Sequence, residues 1–403
     1  MTDAFSALLL AGGADAVKIP LAMLLVFGSA KLLDELFERL NQPGIVGQIL
    51  AGVLIGPSVL GWIAPNDFLT ALAELGVMFL LFHVGLEVKA SELMKVGPAA
   101  AVVALMGVLV PFFLGWSILL LWNATQIESI FVGAAMVATS VGITAQVLAA
   151  KGLLQVKASR IILAAAVIDD VLGLLILALV SSLAKGNVNL FELGLTAALA
   201  IGFTVVVVKW GTKTMEGVVS RVHEKLRGGE AQFGLAMILL FALSVLAAYA
   251  GVAAIIGAFL AGVALAGSVG TRVHDLALGV KELLVPFFLV GIGLHFDLAA
   301  LASWTTLRLA LIIFAAAVLS KFLGCGLGAY RLGWPDAVRI GVGMIPRGEV
   351  GMVVAQIGLS LGVVGQRMYA VVVFMSVATT LVAPPLLRIA YKSLMAPNIP
   401  SKE

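Results

Sequence analysis

Residues 160–173 read Arg-Ile-Ile-Leu-Ala-Ala-Ala-Val-Ile-Asp-Asp-Val-Leu-Gly, an apolar run that carries two adjacent carboxylates, Asp169 and Asp170. The apolar character continues to about residue 184, so the two aspartates lie near the middle of a segment long enough to cross a bilayer. Ionisable residues at such a depth are costly, rare and usually functional. This stretch therefore predicts a membrane-spanning helix with a buried site for a cation or a proton.

The composition of the whole chain agrees with that prediction. Only 12% of the 403 residues are charged and 62% are hydrophobic, whereas soluble proteins carry about 25% charged residues. Cys325 is the single cysteine, which excludes an intrachain disulfide. No nucleotide-binding loop, zinc-ligand spacing or Ser/His/Asp arrangement stands out. We therefore expect neither an enzyme nor a cofactor, and no nucleic-acid partner.

Thirteen candidate transmembrane helices, called spans 1 to 13 here, follow from a requirement of about 20 apolar residues for each crossing. They cover residues 17–37, 43–62, 68–87, 97–122, 129–150, 160–184, 190–210, 232–249, 251–268, 276–295, 300–330, 336–358 and 366–390.

The basic residues orient these spans. Nineteen Lys and Arg residues fall in the loops after odd-numbered spans or in the C-terminal tail, and four fall on the opposite side. Basic residues are enriched in cytoplasmic loops. This distribution predicts thirteen spans with the N-terminus outside and the C-terminus in the cytoplasm.

The two halves of the chain resemble each other at an offset of about 208–214 residues. The segment 21–27, Leu-Ala-Met-Leu-Leu-Val-Phe, matches Leu-Ala-Met-Ile-Leu-Leu-Phe at 235–241, and four weaker matches follow in the same order. Spans 1–6 would then repeat as spans 8–13, with span 7 as the connector. Six spans plus a connector start the second copy on the opposite side, which predicts the inverted-topology repeat of secondary transporters.

Spans 5 and 12 contain the signals of broken helices. Span 12 includes Ile-Pro-Arg-Gly-Glu at 345–349, where a proline and a glycine both disfavour helix. The repeat offset places Ala-Thr-Ser at 138–140 of span 5 opposite this segment. Broken helices in matching positions of two halves indicate a transport site. Glu349 would balance the half-helix ends, and Arg347 would pair with Glu349 or with another carboxylate.

The candidate ion ligands are oxygens near the middle of the membrane. Carboxylates, hydroxyls and freed carbonyls suit a hard cation, and Asp169, Asp170, Thr139 and Ser140 supply the first two kinds. Lys321 is the basic residue deep in span 11. It would pair with Asp169 or Asp170, either as a group that takes part in coupling or as a static strut.

These motifs resemble a known family. Ala-Thr-Ser-Val-Gly-Ile-Thr at 138–144, Val-Ile-Asp-Asp-Val-Leu-Gly at 167–173 and Pro-Arg-Gly-Glu-Val-Gly at 346–351 look like the motifs of bacterial cation:proton antiporters of the second CPA group, most of all the NapA-type sodium/proton antiporters. The resemblance implies that Asp170 is the main ion-binding carboxylate and that Asp169 pairs with Lys321. It also implies that the broken spans 5 and 12 cross.

The resemblance also implies a division into domains and a homodimer. A dimerisation (scaffold) domain would comprise residues 1–96 and 232–299, and an ion-transport core 97–185 and 300–392. The linker span 7 with a cytoplasmic connector would cover 186–231, and a short cytoplasmic tail 393–403. The core would move in an elevator-like manner against the scaffold, which implies a multi-pass protein of the bacterial inner membrane.

The expected function is exchange of cytoplasmic Na⁺ (or Li⁺) for external H⁺ at one shared site. The exchange would be electrogenic if Lys321 releases a proton when Na⁺ binds. Two alternatives stay open: a K⁺/H⁺ antiporter on the same scaffold, and a sodium-coupled symporter of an organic anion on a similar inverted-repeat fold.

Overall fold

The structure is a computed structural model that describes residues 14–40, 42–184, 190–207, 229–296 and 299–395. Throughout these ranges the regular structure is helical and contains no β-strand. The predicted connector within 208–228 and most of the predicted tail, residues 396–403, lie outside the described residues.

The described residues of the first half of the chain form eight helices. They are α1 (Ala14–Arg39), α2 (Gly44–Ile55), α3 (Asp67–Leu86), α4 (Ala90–Leu121), α5 (Gln126–Ala135), α6 (Val141–Ala150), α7 (Lys157–Ala184) and α8 (Leu190–Val206).

The second half repeats most of this order. Its helices are α9 (Gly229–Tyr249), α10 (Ala254–Leu265), α11 (Thr271–Leu294), α12 (Trp304–Gly328), α13 (Trp334–Gly343), α14 (Glu349–Ser360), α15 (Gln366–Ala390) and the short α16 (Lys392–Met395). Single 3₁₀ turns lie at Ala299–Leu301 and Tyr330–Leu332.

Seven helices within the described residues are long and apolar enough to cross a membrane. They are α3, α4, α7, α9, α11, α12 and α15. Shorter apolar helices, among them α2, α6 and α10, accompany them. The chain is therefore an all-helical, multi-pass membrane protein.

The helices around the two interrupted pairs are spaced alike in the two halves of the chain. The pair α5 and α6 begins at Gln126 and Val141, and the pair α13 and α14 begins at Trp334 and Glu349, in both cases 208 residues later. A long helix precedes each pair and another follows it. The helices of the two halves thus have the same order of long and short elements around an interrupted pair.

The chain divides into two compact units. The first comprises the residues up to Gly76 together with Leu283–Ala299. Its core is apolar and includes Val26, Ile55 and Phe287. The helices α2 and α11 approach closely because glycines face each other: a Cβ on Gly52 would lie 2.0 Å from the carbonyl oxygen of Val290. Small residues permit such close helix contacts in membrane proteins.

The second unit comprises Val77–Glu282 and Ala300–Glu403. Within it α12 packs against α4, α13 and α15, and α7 packs against α4, α5 and α13. These contacts bring the span that carries Asp169 and Asp170 into the same helical cluster as Lys321 of α12. The predicted boundaries between a dimerisation domain and an ion-transport core stay a prediction.

The end of α15 is held by a small polar cluster. The hydroxyl of Tyr391 lies 3.1 Å from Ser159 Oγ, near the start of α7. The guanidinium of Arg339 stands over the Tyr391 ring, 5.6 Å from its centroid. Burial raises the pKa of the Tyr391 phenol to about 12. This cluster joins α7, α13 and the end of α15, the helices that support the candidate site.

Candidate functional site

Two helix interruptions meet in the second unit. The first separates α5 from α6 at residues 136–140, and the second separates α13 from α14 at residues 344–348. Pro346 has no N–H to donate, which explains why the second helix stops there. The Ser140 N–H donates to the carbonyl oxygen of Pro346 at 2.8 Å, so the two interruptions touch through their backbones.

The crossing is close because residue 348 has no side chain. A Cβ on Gly348 would lie 2.7 Å from both Cβ and Oγ of Ser140. One turn further along α6, the Thr144 hydroxyl donates to the carbonyl oxygen of Gly343 at 2.7 Å. Backbone groups freed by the interruptions are thus partly satisfied by the other interrupted helix, as burial in a membrane requires.

A small cavity lies at this crossing. The lining residues are Val77, Thr139, Ser140, Val141, Gly142, Asp170, Ile255, Gly348 and Val350. The space that the centre of a water molecule can occupy is about 10 Å³. This is enough to hold about one water molecule. The cavity therefore has the dimensions of a site for a single small ion or water.

The polar lining of the cavity is suited to a cation. Asp170 is half-buried there. Thr139 is buried, and its Oγ1 has no hydrogen-bond partner among the described residues. The first turns of α6 and α14 also line the cavity. Helix N-termini carry partial positive charge, and Asp170 supplies the negative charge that balances it.

Beside the cavity lies a buried ion pair. Lys321 Nζ donates to both carboxylate oxygens of Asp169, at 3.0 and 3.2 Å, and both side chains are fully buried. Space for the ammonium group comes from α4: a Cβ on Gly107 would lie 3.3 Å from Lys321 Nζ and 2.6 Å from Cys325 Sγ. The two adjacent aspartates thus differ in environment, since Asp169 is neutralised by Lys321 and Asp170 faces the cavity.

Arg347 makes its described side-chain hydrogen bonds to the backbone. Its guanidinium is fully buried and donates to two backbone carbonyls, Ala317 of α12 at 3.1 Å and Met344 at 3.5 Å. The predicted pairing of Arg347 with Glu349 or with another carboxylate stays a prediction. The side chain of Glu349 lies outside the described residues, so its predicted charge-balancing role stays a prediction.

Two residues that sequence reasoning missed hold Arg347 in place. The Thr379 hydroxyl accepts from the Arg347 N–H at 3.1 Å, and the Thr380 hydroxyl donates to the Arg347 carbonyl at 2.5 Å. Adjacent threonines in the middle of the apolar α15 were a signal that could have identified them. Gly107, in contrast, is one of 44 glycines and carried no such signal.

The structure therefore brings the predicted ligands together in two groups. Asp170, Thr139 and Ser140 line the cavity, and Asp169 pairs with Lys321 behind it. The family model described as "Sodium/hydrogen exchanger, transmembrane" matches residues 22–392.

The chain belongs to the sodium/hydrogen exchanger family. This exchanger is 34% identical to the Na⁺/H⁺-K⁺ antiporter GerN of Bacillus cereus over 91% of its own length and 95% of that protein. It is 33% identical to the high-affinity Na⁺/H⁺ antiporter NhaS3 of Synechocystis, over 95% of its own length and 92% of that protein. The predicted membership among cation:proton antiporters is confirmed.

The exchanger also shares its fold with a solved structure. The sodium proton antiporter MjNhaP1 from Methanocaldococcus jannaschii superposes with a TM-score of 0.65 at 18% identity, covering 93% of this chain and 96% of that one. The family is one of transporters, so the carboxylates of the exchanger belong to a transport protein.

Proposed function

We propose that this exchanger moves Na⁺ (or Li⁺) out of the cytoplasm in exchange for external H⁺, through one site centred on Asp170. The observation that carries the proposal is the cavity at the helix crossing. Asp170 and Thr139, whose Oγ1 has no hydrogen-bond partner among the described residues, both line it. A carboxylate and a hydroxyl are the oxygens that a hard cation prefers, and a carboxylate also binds a proton. Na⁺ and H⁺ would compete for Asp170, which couples their fluxes.

Asp169 and Lys321 would add a second proton to the cycle. Their side chains are fully buried and in direct contact, and Asp169 is next to Asp170 in the chain. If Asp169 turns to the arriving Na⁺, the ammonium loses its partner and releases a proton. More than one H⁺ would then be exchanged for each Na⁺, and the membrane potential would drive transport. A Lys321 that keeps its proton throughout would instead be a strut.

Movement of the site requires a bilayer and a scaffold. We propose thirteen spans in two inverted repeats, with the N-terminus outside and the C-terminus in the cytoplasm. The core would slide as an elevator against a dimer-forming scaffold in a bacterial inner membrane. With both aspartates ionised and no cation bound, the core is too highly charged to cross the apolar barrier, because an uncompensated charge is costly in low dielectric. Na⁺ or protons remove that barrier.

K⁺/H⁺ exchange is the second candidate, because the name of GerN includes K⁺ beside Na⁺. The arrangement of Asp170 and Thr139 serves either ion, so cavity dimensions decide between them. A sodium-coupled organic anion symporter is less well supported, since the cavity has room for about one water molecule and an organic substrate needs more.

The test is exchange in proteoliposomes that contain a pH-sensitive dye and an acidified lumen. External Na⁺ and Li⁺ should alkalinise the lumen, and Asp170→Asn should abolish the response. Alkalinisation by K⁺ at equal concentration would move the assignment to K⁺/H⁺ exchange. Near-normal activity of Asp170→Asn would refute the site, and a requirement for an organic anion would favour the symporter.

A further inference from the structure

The cavity at the helix crossing is lined by two unlike groups of residues. The polar side chains come from the first interruption and from α7, as Thr139, Ser140 and Asp170. Two aliphatic residues come from helices that contribute nothing polar to the lining: Val77 of α3 and Ile255 in the first turn of α10. Binding of a cation by oxygens does not require these two residues, so their presence at the cavity needs an explanation of its own.

Val77 and Ile255 limit the space of the cavity. Their side chains have no oxygen or nitrogen, so they cannot replace water around an ion. Val77 is only 2% exposed, and the centre of a water molecule has about 10 Å³ available in the whole cavity. Such a cavity holds about one water molecule. A cation that enters it therefore displaces that water and takes nearly all of its contacts from the protein.

A small cavity that contains a carboxylate favours the smaller of two cations. Selectivity between ions depends on the size of the cavity and on the number and field strength of the ligands. Na⁺ is smaller than K⁺ and gains more from the concentrated negative charge of Asp170. A larger ion needs more oxygens around it, and with Val77 and Ile255 in place there is no room for additional water. The aliphatic residues thus act against K⁺ more than against Na⁺.

We propose that Val77 and Ile255 are specificity-determining residues, which restrict the cavity to one largely dehydrated small cation and so favour Na⁺ over K⁺. This inference rests on the proposed function and adds to it the residues that set ion choice. It makes the volume of the two side chains the property that matters. Enlarging the cavity at either position should therefore change which ion is exchanged, beyond any change in the amount of folded protein.

The test compares the exchange rate with K⁺ to that with Na⁺, at equal concentration, in the proteoliposome assay. Val77→Ala removes two methyl groups, which frees space on the order of one water molecule, about 30 Å³. Because the cavity is polar, this space should fill with water. The K⁺-to-Na⁺ ratio should rise on the order of tenfold, the discrimination that one methylene of a pocket commonly provides. An unchanged ratio would overturn the proposal.

Matched variants separate cavity volume from general loosening. Val84→Ala on α3 and Ile256→Ala on α10 truncate buried residues of the same helices that do not line the cavity. Their ratio should stay within about twofold of the wild type, and a rise as large as in Val77→Ala would overturn the proposal. If Val77→Ala does not fold, Ile255→Val decides. It removes a single methylene and should give a smaller rise than Ile255→Ala, whereas no rise in either would refute the proposal.

The wild-type protein separates the two levels of inference. If wild-type vesicles show no cation-driven H⁺ movement, the proposed function fails, irrespective of Val77 and Ile255. If the wild type exchanges Na⁺ for H⁺ and the cavity variants leave the K⁺-to-Na⁺ ratio unchanged, the proposed function stands and the role of the two residues is refuted. A wild type that exchanges K⁺ faster than Na⁺ would also refute that role, because the native cavity must favour the smaller ion.

Discussion

Asp169→Asn leaves the Lys321 ammonium buried without its carboxylate. In the native protein that ammonium makes two hydrogen bonds to Asp169, at 3.0 and 3.2 Å, and neither side chain is exposed. Removing one partner of such a buried pair typically costs about 3–5 kcal/mol, because an uncompensated charge remains in low dielectric. Replacing both partners removes the charge as well as the pair. The double variant Asp169→Asn, Lys321→Gln should therefore recover most of the lost stability.

The assay is unfolding of the purified protein in detergent, followed through the fluorescence of its six tryptophans. The wild type, the two single variants and the double variant form a double-mutant cycle. A coupling free energy of about 2 kcal/mol or more is expected, since the residues contact each other directly. Additive effects of the two single variants, or a loss below about 1 kcal/mol for Asp169→Asn, would show that the pair does not contribute as the geometry implies.

Three further predictions concern the surroundings of the site. Gly107→Ala should lower the stability and the exchange rate, because the added methyl group would lie 3.3 Å from Lys321 Nζ. Gly97→Ala on the same helix is the control, because no atom lies within 4 Å of the position of its Cβ. It should be tolerated in the same unfolding and flux assays. Thr139→Val should raise KM for Na⁺ and Thr139→Ser should restore it, because the unpartnered Oγ1 lines the cavity; equal KM values would remove this ligand from the site. Tyr391→Phe should destabilise by about 0.5–1.5 kcal/mol through a lost hydrogen bond. Because the pKa of the Tyr391 phenol is raised to about 12, its stabilising contribution declines only once the pH exceeds the ordinary tyrosine value near 10, so this difference should be constant from neutral to mildly alkaline pH.

The sequence allowed the main features of the fold to be predicted because they depend on short-range chemistry. Apolar segments of sufficient length produce helices, and Pro346 with Gly348 stops one of them. The interruption at 136–140 contains no proline or glycine, so the internal repeat and the family resemblance were what predicted it. The interrupted pair of the second half begins 208 residues after that of the first half, which agrees with the offset of the sequence repeat.

The partners of Arg347 could not be predicted in the same way. A carboxylate is the usual partner of a buried arginine, and Glu349 lies only two residues away in the chain. The structure places the guanidinium on the carbonyl of Ala317, 30 residues earlier, and the side chain of Glu349 lies outside the described residues. Every residue has a backbone carbonyl, so the sequence does not indicate which carbonyl can accept a hydrogen bond from the guanidinium. The packing of α12 against the second interruption decides it, and packing depends on the whole fold.

Calorimetry of Na⁺ binding to the purified protein, in two buffers of different ionisation enthalpy, measures how many protons leave when one Na⁺ binds. If both ions compete for Asp170, binding should release protons, and Asp170→Asn should abolish both the Na⁺ binding and the proton release. Lys321→Gln should lower the number of protons released if the ammonium takes part. Na⁺ binding without proton release, or unchanged binding in Asp170→Asn, would contradict a shared site for the two ions.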